Sequence, residues 1–214
     1  MPRIRCFMIE PSGRARLSLR RYAAADCPAA PKRGYHNAEA TLFEVDEWLE
    51  PSGDSDRKVF RHDGPQRREE VPVGHRDRWP ARCACGYAFV ESDTWQIFSE
   101  SLYRRTDSGE IVTLRDAPAG AMWWLTWMEG FFHPQLGTSP LCVMTPGGEW
   151  IIDSRCSNCT MPDDYNQERH HCWIAHGLPP DVTVDKAGIT CGAGAGSIQA
   201  GSYHGFLRNG YLED

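Results

Sequence analysis

Nine cysteines, four of them in two short pairs, constrain this 214-residue chain more than any other feature. Cys83-Ala84-Cys85-Gly86 is a C-x-C-G turn, and Cys156-Ser157-Asn158-Cys159 is a C-x-x-C pair. Such spacings suit Zn²⁺, because a tight turn lets two thiolates reach one tetrahedral ion at about 2.3 Å while glycine relieves the backbone. One ion shared by both pairs would bridge the 70 residues between Cys85 and Cys156 and pin the hairpins from Trp95 to Asp153 as one unit. His170-His171-Cys172 offers further ligands just downstream, for a second site or for a Cys₃His variant of the first. The candidate metal ligands are therefore Cys83, Cys85, Cys156, Cys159, His171 and Cys172. Cys6, Cys27, Cys142 and Cys191 read instead as buried small hydrophobes. Four sulfur ligands leave no open position for water or substrate, so structural zinc is expected over catalytic zinc.

Nine cysteines is an odd number, and in a reducing compartment thiols and metal ligands are expected in place of disulfides. The opening MPRIRCFMIE has no apolar run of signal-peptide length, and no window approaches the length of a membrane span. The protein is expected to be made and kept in a cytoplasm, with no membrane involvement.

The 20 Gly and 15 Pro predict short elements joined by many turns and argue against long helices. Ile4 to Ile9 and Ala15 to Tyr22 read as a β-hairpin around Pro11-Ser12-Gly13. Between Asp26 and Arg82 only Ala40 to Leu49 has a regular pattern, and a soft boundary falls near residue 80. Residues 1–80 are then an Arg-rich, loop-rich segment with a β-hairpin, and 81–214 a cysteine-rich β domain. Ser92 or Asp93 caps a short helical turn leading into Trp95, Ile97 and Phe98. Met122 to Met128 reads as a core element. Further hairpins are expected around 106–109, 145–148 and 186–188, and around Asn209-Gly210, a type I′ signal. The fold class is mainly β, antiparallel hairpins around a zinc-stabilised core with little helix, with α+β as the alternative.

A net charge of −6 opposes general capture of nucleic acid. Residues 1–36 nevertheless carry a local +6, which leaves −12 on the remainder. Arg14, Arg16, Arg20 and Arg21 are the candidate partner-binding residues if this segment meets an acidic partner; docking on the chain's own acidic body is the alternative.

Among enzyme classes, a zinc deaminase is excluded, because no His is followed two residues later by Glu and Arg155 precedes Cys156. A metal-dependent nuclease would suit the C-x-x-C pair followed by His170 and His171, but Gly177, Pro179 and Pro180 interrupt any helix that would carry more ligands. The tract Gly192 to Ser197 lacks the lysine of a phosphate loop and reads as a close-packed glycine turn. Cys191 or Ser197 with His204 as base would give hydrolase chemistry, yet His204 is expected to be a hydrogen-bonded side chain near the end of a paired strand.

The stretches CACGYAF, LRDAPAGAMW, DSRCSNCTMPDD, HHCWIAHGLPP, TVDKAGITCGAGAGSI and YHGFLRNG resemble a group of uncharacterised proteins encoded by bacteriophages and prophages. The resemblance covers about residues 83–214, and the closing pattern is similar to that of a wider bacterial family. It implies a phage origin and brings no activity with it. Alanine often stands at the position of Cys156 in that group, which implies a ligand set of Cys83, Cys85 and Cys159 with Cys172 or His171. The expected function is that of a zinc-stabilised, non-enzymatic phage accessory protein, acting through protein–protein interaction on a virion component or host factor. A metal-dependent hydrolase, a nuclease first, is the alternative.

Overall fold

A computed structural model describes residues 3–23, 26–30, 34–49, 58–61, 65–66, 73–130, 132, 134–159, 171–188, 190–191 and 196–214. Its strands are β1 (Ile4–Arg5), β2 (Phe7–Ala23), β3 (His36–Leu49), β4 (Lys58–Arg61), β5 (Pro65–Gln66), β6 (Thr94–Arg105), β7 (Ile111–Val112) and β8 (Ala121–Trp124). They continue as β9 (Leu141–Thr145), β10 (Gly148–Ile151), β11 (Ile174–His176), β12 (Thr183–Asp185), β13 (Ile198–Ala200), β14 (Tyr203–Arg208) and β15 (Tyr211–Glu213). Short 3₁₀ turns at Val73–Arg78 and Thr126–Met128 are the helical elements among the described residues, so the fold is mainly β with largely antiparallel sheets, as expected. No helix among them is long and apolar enough to cross a membrane.

The chain divides into two units. One is residues 11–103; the other joins residues 1–10 to residues 104–214. The soft boundary near residue 80 thus lies inside the first of these.

In the 11–103 unit, β2 pairs antiparallel with β3, β3 with β4 and β4 with β5, while β6 pairs with β2. The alternation Arg-Leu-Ser-Leu-Arg in β2 sends Leu17 and Leu19 inward, where they pack with Ala15, Leu42, Phe43 and Ile97. Pro11-Ser12-Gly13 does not turn the chain. Gly13 takes φ 71°, but Ser12 Oγ donates to the Leu102 carbonyl (2.7 Å) and β2 continues through to Ala23. The hairpin is instead β2 with β3, registered from Arg14 opposite Asp46 to Ala23 opposite His36. Likewise Thr94 opens a strand and not a helical turn, and the Asp93 carboxylate accepts from the Val90 amide across the turn before it.

In the other unit, β10, β9 and β8 form an antiparallel ladder, and β8 adds Phe7 and Met8 of β2 in parallel. A second sheet has the order β1-β15-β14-β13, and β11 pairs with β12. The core gathers Met122, Leu141, Val143, Trp150, Trp173, Ile198, Leu207 and Leu212. Met122 and Trp123 are buried as expected, but the same apolar run ends on the surface at Trp127, 56% exposed. The hairpin around 145–148 forms as read, and Asn209 (φ 47°) with Gly210 (φ 70°) makes the β14–β15 turn, both residues on the positive side that a type I′ turn demands. Among the described residues the hairpin expected around 186–188 does not form: β12 takes β11 as its partner and Thr190 bridges to His171. Its second arm begins at Ile189, which lies outside the described residues, as do Lys32, Arg33, His170 and 192–195 of the glycine tract.

Candidate metal centres

The two cysteine pairs do not share a centre. Cys83 and Cys85 meet Cys27 and His36, all in the 11–103 unit, whereas Cys156 and Cys159 meet Cys172 and Cys191 in the other. In each group the four ligand atoms lie within 4.8 Å of one another, an arrangement that could hold a metal ion.

The first centre is assembled from three pieces of chain. Cys27 sits in a turn, its amide bonded to the Gly34 carbonyl and its carbonyl to the Ala30 amide. His36 is the opening residue of β3, buried at 7% and stacked on Tyr87 with ring centroids 4.2 Å apart. Cys83 and Cys85 form the knuckle: the Cys83 amide bonds the Tyr87 carbonyl, and the Gly86 amide returns to the Cys83 carbonyl. Gly86 takes φ 93°, which a side chain would resist. Cys27 Sγ lies 3.7 Å from Cys83 Sγ, and Cys85 Sγ lies 3.2 Å from His36 Nδ1. Bonds of about 2.3 Å to a tetrahedral ion put two sulfurs about 3.8 Å apart, so the Cys27–Cys83 spacing is that of metal ligands, far beyond a disulfide's roughly 2 Å. The Cys85 amide, then His36 and the Asn37 amide, hold the Cys83 thiol down at about 6 from its ordinary 9.0, against the opposing effect of burial. Burial pushes Cys27 the other way.

The second centre is all sulfur. The Cys159 amide closes the knuckle on the Cys156 carbonyl (3.1 Å). A bridge between His171 and Thr190 aligns the two adjoining cysteines, with Cys191 Sγ 3.7 Å from Cys172 Sγ and 3.6 Å from Cys156 Sγ. Two cations face these sulfurs. Arg155 Nη2 donates to Cys159 Sγ (3.4 Å), and Lys186 Nζ donates to Cys191 Sγ (3.6 Å) and to the Cys172 carbonyl. Four thiolates around a divalent ion carry a net −2, which these two side chains offset. Burial raises the Cys156 and Cys172 thiols, so as free thiols they would hold their protons at neutral pH.

The ligand set read from the sequence is thereby redistributed. Cys83, Cys85, Cys156, Cys159 and Cys172 all lie in candidate metal groups, but in two separate ones, so the pairs are not brought together around one position among the described residues. His171 is not among the four of its centre. His171 instead acts electrostatically on the buried carboxylate of Asp153, whose pKa it lowers against the larger, raising effect of burial. Cys27 and Cys191, read as small hydrophobes, complete the shells together with His36. Cys6 and Cys142 are the buried, inert cysteines expected, their thiols raised by burial, Cys6 to about 12.

The candidate partner-binding arginines are engaged within the chain. Arg14 and Arg16 reach Glu44 (both 3.4 Å), and Arg20 reaches Glu39. Arg16 and Arg20 stand directly opposite those glutamates in the β2–β3 register, so these are cross-strand pairs. Arg21 is buried at 8%, bonded to the Pro80 and Val90 carbonyls and packed over Phe89 and Trp79. These four arginines are held by the chain's own glutamates and backbone carbonyls, so the observation that pointed to an external partner there has an internal explanation.

His204 lies on β14 with Nε2 3.0 Å from Ser197 Oγ, at a cleft beside the second centre. Comparison with family models, with curated protein sequences and with solved structures finds no match for the chain.

Proposed function

We propose that each centre holds a structural Zn²⁺ and that the protein is a non-enzymatic accessory protein of phage type. It acts in the host cytoplasm or the virion by binding another protein. One observation carries the non-catalytic part: each centre already has four ligands, Cys₃His and Cys₄, and a full tetrahedron leaves no position for water or substrate. The phage attribution rests on the resemblance of residues 83–214. Elemental analysis of protein purified without chelator should find two zinc ions per chain, and a count of one or none overturns the reading. Mass spectrometry of purified phage particles separates the virion role from the cytoplasmic one.

The Ser197–His204 pair favours a second reading, a hydrolase in which Ser197 attacks and His204 takes its proton. A fluorophosphonate probe decides between the two. Adduct at Ser197, lost in His204→Gln, supports the hydrolase; an unlabelled, folded chain supports the accessory protein.

A further inference from the structure

A cleft of about 620 Å³ lies within the unit that holds the second centre, large enough to admit a small molecule. Its described lining includes Cys156 but none of Cys159, Cys172 and Cys191. Cys172 and Cys191 are each 3% exposed and belong to the apolar core, whereas Cys156 is half-buried and packs against it. A solute entering the cleft therefore meets the sulfur cluster at Cys156.

A second sulfur stands behind it. Cys191 Sγ lies 3.6 Å from Cys156 Sγ and 3.7 Å from Cys172 Sγ, so a buried residue is within reach of the one that lines the cleft. A disulfide needs about 2 Å between its sulfurs, so an approach of about 1.6 Å by two side chains already directed at one point closes the bond. The thiolate, and not the thiol, attacks an electrophile, and metal ligation holds each cysteine in that form. Cys191 shares its core with Val143, Leu207 and Leu212, which keep it in place when the ligand shell changes.

We propose that Cys156 is a site of oxidation by hydroperoxides, and that Cys191 resolves the oxidised sulfur into a disulfide that expels the ion of the Cys₄ centre. The expulsion rests on the metal reading above; the sulfur chemistry stands on the cleft and the sulfur spacing. The Cys156 thiolate attacks one oxygen of the hydroperoxide. An S–O bond forms, the O–O bond breaks, and the departing alkoxide or hydroxide takes a proton from water. The sulfenic acid left at Cys156 is no longer a thiolate ligand. The Cys191 thiolate then attacks that sulfur; an S–S bond forms, the S–O bond breaks, and hydroxide leaves to be protonated to water. Two electrons pass from the two sulfurs to the oxidant, which ends as an alcohol and water, or as two waters when it is hydrogen peroxide. Loss of two of the four ligands releases Zn²⁺, and reduction of the disulfide restores the shell.

Treatment of the full chain, as purified, with one equivalent of hydrogen peroxide tests this. Dimedone present during the reaction should trap a sulfenic acid at Cys156. Without dimedone, differential alkylation and tandem mass spectrometry should find Cys156 joined to Cys191, with one zinc ion passed to a chromophoric chelator for each disulfide formed. Oxidation at Cys156 should run about tenfold or more faster than at Cys6 and Cys142, the buried thiols of the same unit. Dithiothreitol with added zinc should return the starting metal content. A first adduct at Cys159 or Cys172, a Cys156–Cys159 or Cys172–Cys191 disulfide in place of the expected one, or survival of every thiol overturns the proposal. Zinc counted before peroxide is added reports on the metal reading. A zinc-free preparation overturns that reading, and the Cys156–Cys191 disulfide, sought in it at the same peroxide dose, still decides this one.

Discussion

The two centres use similar ligands in different surroundings. Cys172 and Cys191 belong to the apolar core of their unit, and Cys156 and Cys159 pack against it. Cys27 and Cys83 are just as buried, yet they lie outside the cluster built by Leu17, Leu19, Leu42 and Phe43. What they join is a turn at 26–30, the start of β3 and the knuckle at 83–87. A thiol is a small hydrophobe as well as a ligand. At the Cys₄ site the thiols would fill space even without an ion. At the Cys₃His site an ion would tie together segments that the apolar cluster does not include, beside the His36–Tyr87 stack and the Arg21 bonds to the Pro80 and Val90 carbonyls.

The largest effect should therefore come from Cys83→Ser. Loss of that ion should abolish amide-exchange protection at Cys83, Gly86 and Cys27, whose bonds depend on the knuckle and turn. Unchanged protection there would break the contrast. Cys172→Ala should release the other ion and lower the melting temperature, yet leave β9, β14 and β15 protected, because the core around Val143, Leu207 and Leu212 persists. Collapse of those strands would show that the Cys₄ centre is no less essential than its counterpart.

Acid should separate the centres next. Metal binding needs thiolates, so protons compete for each ligand. Cys83, lowered from 9.0 to about 6, contributes stabilisation that is complete above pH 9 and lost as pH falls through about 6. Cys156 and Cys172 are both raised, as Cys27 is in the other centre. Protons therefore compete at higher pH for two of the Cys₄ ligands but for one of the Cys₃His ligands, where Cys83 is lowered. On acidification from pH 8 the Cys₄ centre should release its ion first. A chromophoric chelator titration checks the order, with Cys83→Ser and Cys172→Ala identifying each step; simultaneous release would erase the distinction. The smallest effect belongs to Arg20→Gln, which removes a partly exposed pair with Glu39 and should cost about 0.2–1 kcal/mol by urea denaturation.

The β class, the 145–148 hairpin and the Asn209-Gly210 turn were legible because turn chemistry and alternation act within a few residues. Pro11-Ser12-Gly13 misled for the same reason. Its residues suit a turn, but pairing of β2 with distant strands outweighs that local preference, and Gly13 keeps only the positive φ. The knuckles were visible as spacing, while Cys27, His36 and Cys191 carry no local mark. Cys27 is 56 residues from Cys83 and Cys191 is 35 from Cys156, distances that only tertiary pairing closes. His36 lies just before the regular stretch Ala40 to Leu49, and nothing in its neighbours distinguishes a ligand from a core histidine.

Residues 11–103 interrupt the other unit, and that order has a consequence for synthesis. Ile4 and Arg5 pair with Leu212 and Tyr211, and Phe7 and Met8 with Ala121 and Met122. The strands made earliest therefore wait longest for their partners, while β2 and β3 meet across a short span as soon as both emerge. The interrupting unit is complete in sequence first, and the apolar run from Cys6 to Ile9 finds a backbone partner in that other unit at Thr106, which bonds the Met8 carbonyl from 98 residues away. Aggregation during expression should therefore track this segment and respond to a charge placed there more than to changes in either metal centre.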